Sequence, residues 1–347
     1  MHTDATDTLP ASADGTDAIL QVKNLTVGFD TESGHLTAVD GVSFTVPRGK
    51  TLGIVGESGS GKSVTAFAIM RLLPQPAGKI TGGSVLFEGR ELTTLPLDEL
   101  RKIRGNKISM VFQEPMSALN PVHRIGHQIS EVLRLHTTQT AQQARQRAIE
   151  LLAKVGIPAP EARLEAYPHQ LSGGMRQRVV IAMALACNPS LIICDEPTTA
   201  LDVTIQAQIL DLLKSLQKEF RMTIILITHD LGVIAENCDE VAVMYAGRIV
   251  ERADVHTLFS APLHAYTQAL LRAIPALDSV SKTPLFSIEG MVPSLAELKA
   301  GCRFAPRSGR PYTDADLNTR PPFIELRPGH WVEASRVCVD ALKTQAA

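Results

Sequence analysis

The sequence has 347 residues, of which 44% are hydrophobic and 20% charged, and a net charge of −2. That length holds one large domain or two modest ones. The near-neutral balance gives no electrostatic reason to expect nucleic-acid binding. The most apolar stretch, 179–187, is about half of the ~20 residues a membrane-spanning helix needs, so any spans must come from another polypeptide.

Residues 1–18 carry four aspartates and no Lys or Arg, and no apolar core follows, so they do not read as a secretory signal. Their polar, small-residue character predicts a disordered tail. Ile19–Val46 reads as strands, with turns at Glu32-Ser33-Gly34 and Pro47-Arg48-Gly49. Thr51–Val55 is a short apolar strand that runs into a glycine-rich loop, and Val64–Leu73 is apolar at helical spacing. Strands follow at Gly83–Phe87 and Ile108–Phe112, then a helical pattern from Ile125 to Val155 and another helix over Met175–Cys187. Leu191–Cys194 and Thr223–Thr228 read as buried strands, and Val241–Tyr245 with Arg248–Glu251 as a hairpin turned at Ala246-Gly247. Strands alternating with helices make the chain α/β. After Pro262 proline and arginine become frequent and periodicity fades, which places a boundary there. Five cysteines (Cys187, Cys194, Cys238, Cys302, Cys338) without a CxxC pair fit a reducing compartment better than a disulfide framework.

Three motifs carry chemistry. Gly56-Glu57-Ser58-Gly59-Ser60-Gly61-Lys62-Ser63 fits GxxxxGK[ST], between a strand and a helix whose first apolar residue is Val64. Its glycines let successive N–H groups turn inward as an anion nest, and the helix start adds its positive dipole end. Lys62 is placed to reach the β- and γ-phosphates, and the Ser63 hydroxyl to ligate Mg²⁺. In Leu191-Ile192-Ile193-Cys194-Asp195-Glu196, four apolar residues form a strand that ends in two carboxylates. Asp195 is a Walker-B candidate for Mg²⁺, and Glu196 the candidate base toward the attacking water. Leu171-Ser172-Gly173-Gly174-Met175 opens a strong helix with Ser172 as N-cap and two glycines that permit close approach to an anion.

With these motifs in order, the chain resembles the ABC ATPase family. LSGGM looks like the family's signature, with Met175 where glutamine is commoner. Phe29 resembles the aromatic that stacks on adenine, Gln113 the glutamine that senses Mg²⁺ and the γ-phosphate, Ala200-Leu201-Asp202 the D-loop, and His229 the switch histidine. Seven ordered matches over about 200 residues are specific. The segments Phe112–Pro121 and Tyr167–Leu210 are similar to the "D"-type ATPases of dipeptide, oligopeptide and nickel importers, a resemblance covering about residues 19–335.

The resemblance implies a P-loop NTPase: a RecA-like core, an antiparallel β subdomain and a helical subdomain over 19–262, then a small C-terminal extension over 263–347. It implies ATP and Mg²⁺ as ligands and a head-to-tail dimer with a second ATPase subunit. Ser172, Gly173 and Gly174 would reach across to the other subunit's γ-phosphate, and Asp202 would bridge the two sites. It further implies two transmembrane permease subunits coupled near residues 114–170, an extracytoplasmic solute-binding protein, and a peripheral place on the cytoplasmic face of the inner membrane. Peptides are the favoured cargo, with nickel or another small solute as the alternative. A DNA-repair or chromosome ATPase of the same head type is disfavoured, because only about 108 residues separate Lys62 from Leu171 and hold no heptad run or CxxC.

Gly301-Cys302-Arg303-Phe304-Ala305-Pro306-Arg307 resembles the start of a cysteine-rich extension that holds an iron–sulfur cluster in many relatives. Here Ser308 stands where the next cysteine is expected, and Cys338 lies past the last expected position near Ala334–Ser335. Four thiolates are normally needed, so no cluster is expected.

Overall fold

The computed structural model describes residues 17–32, 34–199, 201–274 and 287–342. Residues 1–16 of the expected tail, Ala200 of the D-loop and 275–286 of the extension lie outside the described residues. In chain order the strands are β1 (Ala18–Thr31), β2 (Gly34–Pro47), β3 (Thr51–Val55), β4 (Gly78–Phe87), β5 (Arg90–Glu91), β6 (Ile108–Val111), β7 (Leu191–Asp195), β8 (Thr223–Thr228), β9 (Glu240–Tyr245), β10 (Arg248–Asp254), β11 (Phe323–Arg327) and β12 (His330–Glu333). They form an antiparallel sheet in the order β2-β1-β4-β5 and a larger mixed sheet in the order β11-β12-β10-β9-β3-β8-β7-β6.

The centre of the large sheet is parallel: β3 pairs with β8 and β9, and β7 with β6 and β8. A parallel sheet is covered on both faces, so its strands are apolar without interruption. Successive residues then face opposite cores. Leu191 and Ile193 of β7 and Ile225 and Ile227 of β8 pack with the antiparallel sheet and the helix Lys62–Ile69. Their neighbours Ile192, Cys194, Ile224 and Leu226 pack with the helical layer.

Register sets the ends of these strands level. Val55 lies opposite Thr228, and Asp195 opposite Ile227. The loop after β3, the carboxylates ending β7 and the histidine after β8 therefore leave the sheet along one edge. That carboxyl edge, where strand order reverses, is where open α/β sheets bind ligands.

Two expectations are modified locally. The helical pattern 125–155 is two helices, Ile125–His136 and Ala141–Lys154. Thr140 caps the second through a reciprocal box with Gln143, which satisfies backbone donors that a continuous helix would have paired internally. The helix behind the glycine loop ends at Ile69, and Arg71 adopts a left-handed conformation (φ 50) just beyond it.

The larger difference is at Pro262. Residues past it do not pack as a separate unit. β12 extends the large sheet by pairing antiparallel with β10, and Cys302, Phe304, Val337 and Cys338 join the helical-layer core. Glu251 on β10 is fully buried, and the partners recorded for its carboxylate all come from beyond 262: the N–H groups of Leu263 and His264 and the ring of His330. Arg248 donates to the carbonyls of Ala300 and Gly301 and to Glu333. Asp40 on β2 gathers Arg248, Arg303 and Arg320. Sequence periodicity does not reveal that β10 lacks a neighbour until the C-terminal hairpin arrives.

Candidate functional site

The loop Gly56–Ser63 is shaped by steric necessity at both ends. A Cβ on Gly56 would lie 2.1 Å from the Met244 carbonyl oxygen. Gly59 and Gly61 have φ of 80° and 100°, a region costly to side-chain-bearing residues. Ser60 N–H donates to the Glu57 carbonyl across the turn, and Gly247 N–H donates to the Ser60 carbonyl. Lys62 is 5% exposed, and its ammonium donates to the carbonyls of Gly56 (2.7 Å) and Glu57 (3.0 Å). Burial lowers its pKa, while the nearby carboxylates of Glu196, Asp195 and Glu57 oppose the shift.

Ser63 and Asp195, 132 positions apart in the chain, meet where β3 and β7 end: the Ser63 hydroxyl donates to Asp195 Oδ1 at 2.9 Å. Asp195 is 2% exposed, and desolvation raises its pKa against the hydrogen bond from Ser63. Two hard oxygen donors in contact, one a carboxylate under strain from burial, fit a divalent hard cation.

Glu196 comes directly after β7, at φ 45°, a costly conformation for a non-glycine residue. Its N–H is fixed by the Ile227 carbonyl. Three groups converge on its Oε2: Gln113 Nε2 at 3.2 Å, Thr199 Oγ1 at 2.9 Å and His229 Nδ1 at 3.4 Å. The structure thus brings together the loop, Gln113, Asp195, Glu196 and His229. Val64 packs half-buried on the antiparallel-sheet core.

The remaining expected residues stand elsewhere. Phe29 is on β1, half-buried against the same core and beside Gly78. Ser172 caps the helix Gly173–Ala184 by accepting from Met175 N–H, and Ser172 and Gly173 are exposed. Asp202 caps the helix Val203–Phe220 through Ile205 N–H and is exposed, beside Val203 at 83% exposure. Thr199, Tyr266 and Arg307 escaped the sequence reading: Thr199 holds Glu196, and the other two hold Glu57. Thr199 sits inside the matched Walker-B segment. Tyr266 and Arg307 are more than 200 residues from the loop; the Gly301–Arg307 resemblance included Arg307, and nothing in the sequence reading singled out Tyr266.

In the extension, Cys302 and Cys338 are buried with their sulfurs 3.2 Å apart, and a nitrogen of His264 lies within 4.8 Å of both. Their shared hydrogen bond holds the Cys302 thiol down and pushes Cys338 up. His264 Nδ1 accepts from Tyr266 N–H, so its other nitrogen carries the proton and offers no lone pair. The other three cysteines lie in the turn after the helix Gly173–Ala184 (Cys187), on β7 (Cys194) and next to Asp239 (Cys238). This donor set does not fit a four-thiolate cluster.

The described helices include none long and apolar enough to cross a membrane. Residues 39–199 match the family model "ABC transporter", and 250–315 match "Oligopeptide/dipeptide transporter, C-terminal region". The chain is 50% identical over 327 residues to the "Oligopeptide transport ATP-binding protein OppD" of Bacillus subtilis, covering 94% of this chain and 91% of that one. It is 50% identical over 324 residues to the protein of the same name from Escherichia coli, covering 93% and 95%. Among solved structures it is similar to the dimeric post-hydrolysis state of the ATP-binding cassette MJ0796 bound to ADP and Pi, with TM-score 0.61, 32% identity, and coverage of 68% of this chain and 98% of that one. It is also similar to cbiO1 from Clostridium perfringens, with TM-score 0.60, 30% identity and coverage of 71% and 92%. Geometry, domain models and relatives agree: this chain belongs to the ABC transporter ATP-binding family, in the branch that carries the oligopeptide/dipeptide C-terminal region.

Proposed function

We propose that this chain is the ATP-hydrolysing subunit of an importer of di- or oligopeptides, with residues 19–262 supplying the nucleotide site and 263–347 bracing it. The observation that carries the reading is the meeting of Ser63 with Asp195, and of Gln113, Thr199 and His229 with Glu196, beside a glycine loop that holds Lys62. The oligopeptide cargo is supported by the relatives at 50% identity that carry that name.

In this reading Lys62 leaves the carbonyls of Gly56 and Glu57 for the β- and γ-phosphates of ATP. The N–H groups of residues 59–63 cradle those phosphates. Ser63 and Asp195 are the residues that would hold Mg²⁺, with Gln113 beside them; the ion neutralises phosphate charge when bound. Glu196 accepts a proton from the attacking water, and His229 stabilises the transferring charge. Phe29 stacks on adenine. Ser172 and Gly173 are exposed and Gly174 is half-buried beside Ile205; in this reading their target is the ATP on a second ATPase subunit, and Asp202 lies at the same junction. Met116 and Val122, exposed on the segment that follows Gln113, give permease subunits an apolar foothold. In this reading the protein works peripherally on the cytoplasmic face of the inner membrane, with the solute-binding protein reached through the permease. No iron–sulfur cluster and no nucleic acid take part; finding about four iron atoms per chain after anaerobic purification would overturn the first point.

The test is Mg²⁺-dependent ATP hydrolysis by the chain assembled with its partner ATPase and permeases, with and without peptides. Lys62→Ala should abolish ATP binding and turnover together. Unchanged ATP affinity in that variant would overturn the assignment of the loop.

A further inference from the structure

The extension grips the phosphate loop at one residue. Arg307 meets the Glu57 carboxylate in a fork, Nη1 to Oε2 at 2.7 Å and Nη2 to Oε1 at 3.0 Å. Its side chain is 7% exposed. The rest of the guanidinium is committed as well: Nε donates to the Glu289 carbonyl, Nη2 to the Gly290 carbonyl, and the group lies 5.7 Å from the Tyr245 ring centroid. A second hold comes from Tyr266, whose phenol oxygen accepts from Glu57 N–H at 2.9 Å. Tyr266 is fully buried, with its ring 4.6 Å from Tyr245 and 5.2 Å from Phe304.

Glu57 is thereby tied at its backbone nitrogen and its carboxylate to two residues beyond 262. Its carbonyl faces the other way, accepting from Lys62 Nζ and from Ser60 N–H. A bidentate arginine–carboxylate pair fixes orientation as well as distance. The third tie runs through the turn after β9: Arg303 donates to the Ala246 carbonyl, and Gly247 N–H donates to the Ser60 carbonyl.

We propose that Arg307 and Tyr266 are positioning residues for nucleotide binding, which hold the Gly56–Ser63 loop in its phosphate-accepting shape through Glu57. The proposal rests on the reading of that loop as the ATP site. Neither residue touches the phosphates; each removes freedom that the loop would otherwise surrender on binding. The extension thus sets ATP affinity, and the chemistry at Glu196 proceeds at its own rate once ATP is seated.

The test is an equilibrium titration of the full-length chain with a ribose-labelled fluorescent ATP and Mg²⁺, alongside thermal midpoints without nucleotide. Arg307→Ala should weaken binding about tenfold, the equivalent of ~1.4 kcal/mol. Arg307→Lys should recover part of the loss, and Tyr266→Phe should weaken binding several-fold while keeping the ring packing. Glu57→Gln with Arg307→Ala should be no worse than Arg307→Ala alone, because both remove the same pair. In the assembled transporter KM for ATP should rise while kcat stays within about twofold. Wild-type affinity in Arg307→Ala, or additive losses in the double variant, would overturn the proposal. If Arg307→Ala does not fold, Tyr266→Phe and Glu57→Gln decide by the same criterion, and wild-type affinity in both counts against it. Lys62→Ala separates the two levels: its failure to weaken binding sinks the ATP site itself, whereas its loss beside an unaffected Arg307→Ala sinks only the brace.

Discussion

Asp195 and Glu196 are adjacent carboxylates with different surroundings, and each supports its own prediction. Glu196 is held by three side chains at one oxygen, while its backbone sits in a conformation that costs free energy. Glu196→Gln keeps the shape and removes the base, so ATP should still bind while turnover falls by about 10²- to 10⁴-fold. Single-turnover hydrolysis with the partner present measures this, and near-normal turnover would remove Glu196 from the role. Asp195 is raised by burial, so its folded pKa lies above its unfolded value. In that interval the native state binds more protons than the unfolded state, and stability falls as pH rises through it. At neutral pH the buried charge is therefore a cost. Asp195→Asn should raise the nucleotide-free thermal midpoint by about 2 °C at pH 7.5, and the gain should shrink toward pH 4, while Mg²⁺-dependent hydrolysis is lost. Equal or lower midpoints at pH 7.5 would contradict the burial argument.

The glycine loop keeps its shape only because its glycines fit the room that a neighbouring strand leaves it. β9 runs beside β3 and presents the Met244 carbonyl where a Cβ of residue 56 would stand. Gly56→Ala must push the loop from β9, so nucleotide binding should drop by at least tenfold, with a loss of stability of about 1–3 kcal/mol read by urea unfolding. The helix Gly173–Ala184 presents a different case. Its N-cap, Ser172, is exposed, so Ser172→Ala should cost only about 1 kcal/mol in the isolated chain. The same change should depress ATPase activity of the assembled dimer far more than that loss of stability can explain. An activity loss no larger than that of a helix-cap variant remote from the site, such as Thr140→Ala, would argue against a role across the interface.

At the scale of the whole molecule the boundary at Pro262 separates two compositions and no two bodies. Glu251 is sealed inside by partners that all follow it, and Arg248 spans both sides. A chain ending at 262 would strip Glu251 of these hydrogen bonds and leave β10 as an open edge. Breaking a buried pair costs about 3–5 kcal/mol, a large share of the 5–15 kcal/mol that stabilises a typical domain. The truncated chain should therefore be recovered aggregated, or bind a hydrophobic dye, where the full chain does not. A soluble, cooperatively folding 1–262 fragment would show that the extension is dispensable for the fold.

The sequence by itself determined the family, the order of the core strands and most of the candidate site residues. Lys62, Ser63, Asp195 and Glu196 stood out as candidates because a GxxxxGK[ST] loop and an apolar strand ending in two carboxylates are local signals, whereas Gln113 and His229 were singled out only through the family resemblance. Family membership followed from their order. Only the tertiary structure decided how far apart in the chain two partners can be. Tyr266 and Arg307 on Glu57, and the C-terminal hairpin on β10, are contacts between segments that share no periodicity or spacing. Strand register is what levels Val55, Thr228 and Asp195 at one edge, and register depends on which strands become neighbours. Composition marks 263–347 as different, but hydrogen bonds to buried charges on β10 make it part of the same body.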